Sequence, residues 1–292
     1  MAVILPEKIE KIDINSAEYP ERLKRISNPP QELYFAGDIS LLRGPCAAVV
    51  GSRKYTVYGK NVAMMIGSRF AECGISVVSG LALGIDGFAH RGTVDAGGKI
   101  IGVLGSGINR MSPQRNISLM IEGLEKGGLV ISEYEPYEEA KPYTFPARNR
   151  IISALGEILI LVEASHNSGA LITAKFANEQ GRTIYAVPGN INSQFSAGCN
   201  LLIRDGAVPL VVIDDAIRDM GIIPSAERRE EKERAGDDEE AVLRVVRKYG
   251  SVSADSIARE LGTRPAAVGA LITVMEIKGL VETAGGKIHL AN

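Results

Sequence analysis

Cysteine is scarce in this chain of 292 residues: Cys46, Cys73 and Cys199 stand far apart and form no CxxC pair. Such spacing suggests neither a disulfide framework nor a zinc site, and it fits a reducing cytoplasm. Long apolar runs are missing as well; none approaches the roughly 20 residues that span a bilayer. The opening stretch MAVILPEKIEKIDIN acquires acidic charge too early for a secretory signal. Nor is there an excess of charge of either sign, with 33 Lys and Arg against 35 Asp and Glu, a net of -2. A nucleic-acid-binding surface would therefore have to concentrate its cations on one face. The fingerprints of common nucleotide enzymes are absent too. GSRKYTVYG, from Gly51, is no GxGxxG, and Gly105-Ser106-Gly107-Ile108-Asn109-Arg110 lacks the third glycine. There is no GxxxxGK[ST], which argues against a P-loop ATPase, and no GxSxG nucleophile elbow. His90, His166 and His289 show no metal-ligand spacing.

What is present is a core-forming composition, 45% hydrophobic, and many glycines, 32 in all. Residues 1–45 read as an irregular lead-in packed on the core, punctuated by Tyr19-Pro20 and Pro29-Pro30, with a short extended piece at Gln31–Ala36. From residue 46 to 220 apolar runs alternate with helical stretches. The spacing predicts strands at Ala47–Val50, Ile75–Ser79, Ile100–Leu104, Leu129–Ser132, Ile158–Val162 and Ile184–Val187, with a short last one at Leu210–Ile213. This alternation is the pattern of an α/β protein with a doubly wound, mostly parallel, Rossmann-like sheet. Residues 221–238 read as a charged linker ending in AGDDEE. Residues 239–292 then offer three helices, at Glu239–Lys248, Ala254–Leu261 and Pro265–Lys278, and a hairpin VETAGGKIHL turning at Gly285-Gly286. Gly262-Thr263 sits where a helix-turn-helix needs its tight connection, so a winged-helix domain is expected.

Four strand-to-helix loops are built of small residues: Gly51-Ser52-Arg53, Ser79–Gly84, Gly105-Ser106-Gly107 and Ser165–Gly169. On a parallel sheet such loops share the carboxyl edge, where backbone N–H groups and helix N-termini favour anions. Arg53, Arg148 and Arg150 add guanidinium groups, whose planar donors suit phosphate, and Phe145 adds a ring on which a base could stack. Asp86, Glu133, Glu163 and His90 form no paired acid–base motif, and are expected to cap, pair or hydrogen-bond rather than to catalyse.

These residues resemble a known family. VVGSRKYTVYG, SGLALGIDGFAH, FPARNRIISAL, VEASHNSGALITA, AVPGN and SAGCNLLIRDGA, in that order, are similar to DNA-processing protein A, DprA, also called Smf. The likeness spans roughly residues 19–213, with a C-terminal winged helix of the kind many members carry. It implies an extended Rossmann domain that binds single-stranded DNA, forms a homodimer and loads RecA onto the strand, in DNA recombination and in natural transformation of competent cells. Single-strand binding protein is a further implied partner; catalysis and cofactors are not implied.

By the same resemblance the DNA pocket falls on Arg53, Phe145, Arg148, Asn149 and Arg150, closed by Ser168 and Gly169. The flanking loop residues Gly51, Ser52, Lys54 and Gly80 are carried with them as DNA-binding candidates. Two departures stand out. The N-terminal helical domain frequent in the family does not fit in the lead-in, and its usual Tyr-Pro is Ser112-Pro113 here, with Arg115 as the nearby cation. Two rival functions are a Rossmann-like phosphoribohydrolase and a ligand-sensing winged-helix transcription regulator. The first is weakened because Pro188-Gly189-Asn190 lacks the glycine pair and acid of a PGGxGTxxE loop. The second is weakened because the third helix has Arg264 as its only nearby cation.

Overall fold

A computed structural model of the chain describes residues 5–6, 8–224 and 236–291. The contacts divide it into two units, Met1–Ile222 and Ile223–Asn292. Of the expected linker, residues 225–235 lie outside the described residues.

The first unit is organised on nine described strands: β1 (Glu10–Asp13), β2 (Glu32–Gly37), β3 (Cys46–Val50), β4 (Ser76–Ser79), β5 (Ile100–Leu104), β6 (Leu129–Ser132), β7 (Ile158–Leu161), β8 (Thr183–Ala186) and β9 (Val208–Pro209). Their order across the sheet is β1-β2-β6-β5-β4-β3-β7-β8-β9. From β6 through β9 every neighbouring pair is parallel; β2 lies antiparallel to β6, and β1 antiparallel to β2. Helices α1 (Glu21–Lys24), α2 (Val57–Glu72), α3 (Ile85–Asp95), α4 (Ile117–Glu125), α5 (Thr144–Leu155), α6 (Ala170–Glu179), α7 (Ala197–Arg204) and α8 (Ile213–Asp219) connect them.

The central strands β3 to β7 are buried at every position, as a parallel sheet covered on both faces requires. Alternation along β3 sends successive side chains to opposite cores. Ala48 and Val50 join Ile151, Ile152 and Leu155 of α5 in one. Ala47 and Val49 join Ala63, Ile66 and Phe70 of α2 and Ala89 of α3 in the other.

Two expectations need correction. The lead-in is packed on the core, and its extended piece at Gln31–Ala36 is β2. What differs is that β1 and β2 extend the sheet rather than forming an irregular strap, with Tyr34 opposite Ser132 and Phe35 opposite Ile131. Leu33 and Phe35 bury their side chains there, but the partner strand is remote in sequence, so no local pattern announces the pairing. The last strand is β9, earlier and shorter than Leu210–Ile213. Ile213 instead begins α8, whose first turn carries Asp214 and Asp215, acids that favour a helix N-terminus.

The second unit has the winged-helix order: α9 (Asp237–Tyr249), α10 (Ala254–Glu260), α11 (Pro265–Ile277) and a hairpin of β10 (Val281–Ala284) and β11 (Lys287–Leu290). Gly285 and Gly286 both take positive φ, 59° and 76°, as the two-residue turn matching strand twist demands. Val242, Val246, Ile257, Val268, Met275 and Ile288 form its core. Glu239, which accepts the Gly236 N–H, also pairs with Lys278 at 2.7 Å and so ties α9 to the end of α11.

Candidate functional site

Strand order locates the site. From β3 the chain winds outward through β4, β5 and β6 on one side, then returns to place β7, β8 and β9 on the other. The loops leaving β3 and β7 therefore run apart, opening a crevice at the carboxyl edge, where open α/β sheets hold ligands. A cleft of about 620 Å³ lies there.

Three loops and parts of α3, α5 and α6 supply its walls, α6 through Ala170, Ile172 and Thr173. Gly51, Ser52, Arg53 and Lys54 follow β3; Ala82 and Asp86 follow β4; Ser165, Ser168 and Gly169 follow β7; Phe145, Arg148 and Asn149 come from α5. The fourth small-residue loop, Gly105–Gly107, is a support. Its Gly105 carbonyl accepts the Thr144 hydroxyl and packs at the start of α5, beside Phe145.

Buried carboxylates hold the loops in place. The Thr56 amide and hydroxyl both donate to Glu163 at the end of β7, while the Ser52 N–H donates to the Glu163 carbonyl. This clamps the loop after β3 across the crevice. Asp86 accepts the Gly51 N–H at 3.3 Å and the Gly80 N–H at 3.1 Å, joining the loops after β3 and β4. Both carboxylates thus cap backbone, the role expected for them. His90 is fully buried on α3, with Nε2 donating to the Val77 carbonyl; burial holds it at about 4, so the ring is neutral.

Arg148 and Arg53 divide the cationic work. Arg148 is only 4% exposed and donates to the carbonyls of Gly80 and Val103. Burial lowers its pKa to about 10, with Asp86 opposing the shift and Arg53 adding to it, so it stays charged at neutral pH. Burial likewise raises the pKa of Asp86, against the pull of Arg148. Arg53 is exposed and lies over the Phe145 ring, 5.2 Å from its centroid, a cation–π contact. The ring expected as a stacking platform is half-buried beneath this guanidinium.

Glycine has opposite reasons at two positions. At Gly80 a Cβ would lie 2.6 Å from Arg148 Nη2 and 2.7 Å from Asp86 Oδ2, so the charged pair leaves no room for a side chain. At Gly169 no atom lies within 4 Å of that position, and φ is -58°. Neither packing nor backbone conformation in the protein demands glycine there.

The structure brings Gly51, Ser52, Arg53, Lys54, Phe145, Arg148, Asn149, Ser168 and Gly169 to one cleft. Gly80 lines a small adjoining hollow with Arg53, Phe145 and Arg148. Arg115 stands on a third concavity, of about 360 Å³, that Arg53 shares. Arg53 therefore forms the ridge between all three. Arg150 does not join them: its guanidinium grips Glu133 at 2.8 and 2.6 Å and donates to the Asn28 carbonyl. At about 100° per residue, two positions on a helix face nearly opposite ways.

Asn116 was not singled out by sequence. Its Nδ2 donates to the carbonyls of Leu81 and Ala82, fixing a loop in which Leu81 takes φ 50°. In the sequence Asn116 lies within a stretch, about residues 113–126, that reads as helix, so nothing local marks it as a loop brace. Among the described residues there is no cluster of His, Cys, Asp and Glu able to hold a metal ion, and no helix long and apolar enough to cross a membrane.

The class defined so far is a Rossmann-like domain with a cationic cleft at its topological switch point, joined to a winged helix. Within that class, residues 10–221 match the family model for DNA recombination-mediator protein A, and residues 225–287 match that for the DprA winged helix domain. The chain belongs to the DNA recombination-mediator protein A family, DprA/Smf. It is 38% identical to the DNA processing protein DprA of Bacillus subtilis over 75% of this chain and 74% of that one. It is 40% identical to protein Smf of Escherichia coli over 68% of this chain, but only 53% of that protein's length. Among solved structures it is similar to DprA of Streptococcus pneumoniae, with a TM-score of 0.68 and 38% identity over 73% of this chain and 74% of that one. It is also similar to DNA processing protein A of Helicobacter pylori, with a TM-score of 0.66 and 27% identity over 73% and 95%. The latter structure describes a single-stranded DNA binding mode for the Helicobacter protein.

Proposed function

We propose that the cleft binds the sugar-phosphate backbone of single-stranded DNA and that the protein delivers the strand to RecA. The observation that carries the binding step is Arg53, exposed over Phe145 on the ridge between three concavities at the sheet's switch point. In this reading Arg53 and Lys54 meet phosphates, and a base replaces or extends the guanidinium stack on Phe145. Ser168 and Gly169 let the backbone of the strand approach the start of α6. Arg148 lies beneath, a buried charge that shapes the loop after β4. The Helicobacter relative's single-stranded DNA binding supports the ligand class, and the family's description as a recombination mediator supports delivery to a recombinase. The protein then acts as a binder rather than an enzyme, serving recombination and, where the host takes up DNA, transformation. A homodimer and displacement of single-strand binding protein belong to the same proposal.

Fluorescence anisotropy with labelled oligo-dT tests the binding step. Arg53→Ala is expected to weaken binding about tenfold, in the range of a lost charge-assisted hydrogen bond. Unchanged affinity would remove the cleft as the DNA site. The delivery step is read from RecA ATPase activity on strands coated with single-strand binding protein, with and without this protein. Light scattering at several concentrations gives the oligomeric state.

A further inference from the structure

The amino edge of the sheet holds a second basic cavity, distinct from the cleft. It measures about 550 Å³, and Arg22 and Arg25 at α1, Arg150 of α5 and Arg182 before β8 line it. Its location follows from Arg22, which donates to the carbonyls of Gly44 and Leu155, and Arg182, which donates to that of Ala154, all preceding strands. Arg150 closes the far side, held by Glu133 after β6.

Charge there is unbalanced. Arg150 is neutralised by Glu133, while Arg22 has Glu157 at a loose 3.7 Å. The two carboxylates that line the cavity have lysine partners, Lys24 on Glu21 at 2.8 Å and Lys175 on Glu179 at 3.9 Å. Arg25 and Arg182 have no carboxylate partner among the described residues, and Arg182 spends one Nη on Ala154. Burial, then Arg22, lowers the pKa of Arg182; Glu157 opposes the shift and Arg25 adds to it, so both neighbouring guanidinium groups repel Arg182. Like charges gathered around a cavity, with unsatisfied planar donors, destabilise the empty site and favour an anion that would relieve them. Gln180, whose Nε2 donates to the Arg150 carbonyl, braces α6 against α5 on the same wall.

We propose that this arginine cavity is a second phosphate-binding site. Its ligand chemistry is a phosphate group with at least two free oxygens in reach of Arg25 and Arg182. The group could come from a DNA strand continuing around the domain or from a free phosphate compound. The cavity does not depend on the cleft's being a DNA site, because none of its residues lines the cleft.

Equilibrium binding with three probes tests it: inorganic pyrophosphate, an oligo-dT of about six nucleotides and one of about thirty, the short one within a single site's usual span. Arg25→Ala and Arg25→Glu are the variants, since Arg25 is exposed and no fold-holding bond is ascribed to it. Arg204→Glu, an exposed arginine beside Asp205, controls for net charge. Loss of about tenfold in pyrophosphate affinity, beyond the control and equal in an Arg53→Ala background, supports the site with a free phosphate compound as ligand. The same loss confined to the long oligonucleotide, with the short one unaffected, supports the site with the strand as ligand. If Arg25→Glu matches the control for pyrophosphate and for both oligonucleotides, the proposal is overturned. Because Arg53→Ala reads the cleft alone, failure there leaves these results interpretable.

Discussion

Arg148 and Arg150 stand two residues apart on α5 and reach away from one another to different partners. Arg148 reaches the carbonyls of Gly80 and Val103 beside the cleft, whereas Arg150 reaches Glu133 and the Asn28 carbonyl beside the lead-in. One basic motif is thus split by helical phase into two structural duties, and the exposed cations of the cleft are Arg53 and Lys54 of the loop after β3.

The two cleft arginines should fail differently. Arg148→Ala leaves Asp86 buried without its charge partner, a loss expected to cost about 3–5 kcal/mol of folding stability. Arg53→Ala should change stability by less than about 0.5 kcal/mol, as for an exposed position, while weakening oligo-dT binding. Urea denaturation alongside anisotropy separates them; equal destabilisation by both would contradict the burial seen here.

Gly80 and Gly169 offer a second contrast. Gly80→Ala forces a methyl between Arg148 and Asp86 and should cost about 1–3 kcal/mol, the range of an overpacked site. Gly169→Ala meets nothing in the protein and should leave the melting temperature nearly unchanged. If a strand passes there, its affinity drops all the same; binding equal to wild type would take Gly169 out of the interface.

Salt dependence counts the phosphate contacts. Lys54→Ala should weaken oligo-dT binding across sequences and lower the slope of log K against log salt by about 0.7, one contact on a single strand. Titrations at several salt concentrations check this, and an unchanged slope would mean that Lys54 makes no phosphate contact.

His90 predicts a pH effect. Its folded value is about 4 against 6.5 for the free ring, so between those values the unfolded chain binds more protons. Stability therefore rises with pH through this window and is lost as pH falls from 6.5 towards 4, by about 3 kcal/mol in full. Asp86, raised by burial, works in the opposite direction, so the informative quantity is the difference from His90→Gln, whose amide can keep the bond to Val77. Denaturation midpoints at pH 5 and pH 7.5 should lie closer together in that variant; an unaltered gap would refute the assignment.

Much of the molecule was legible in the chain because it depends on local chemistry. Buried runs such as Ile158–Leu161, the small-residue loops behind them and the Gly285-Gly286 turn each announce themselves within a few residues. The doubly wound sheet, the winged helix and the roster of cleft loops follow from such signals, and the ordered motifs carry the family. Strand order does not, since it depends on pairings between distant segments: that β7 returns beside β3, and so opens the crevice, is a tertiary fact. So is the use of the lead-in as β1 and β2, which required β6 as a partner. The roles of the three arginines were decided at the same level. Sequence placed Arg53, Arg148 and Arg150 near one another, but helical phase, burial and the carboxylates available to each determined which one faces solvent.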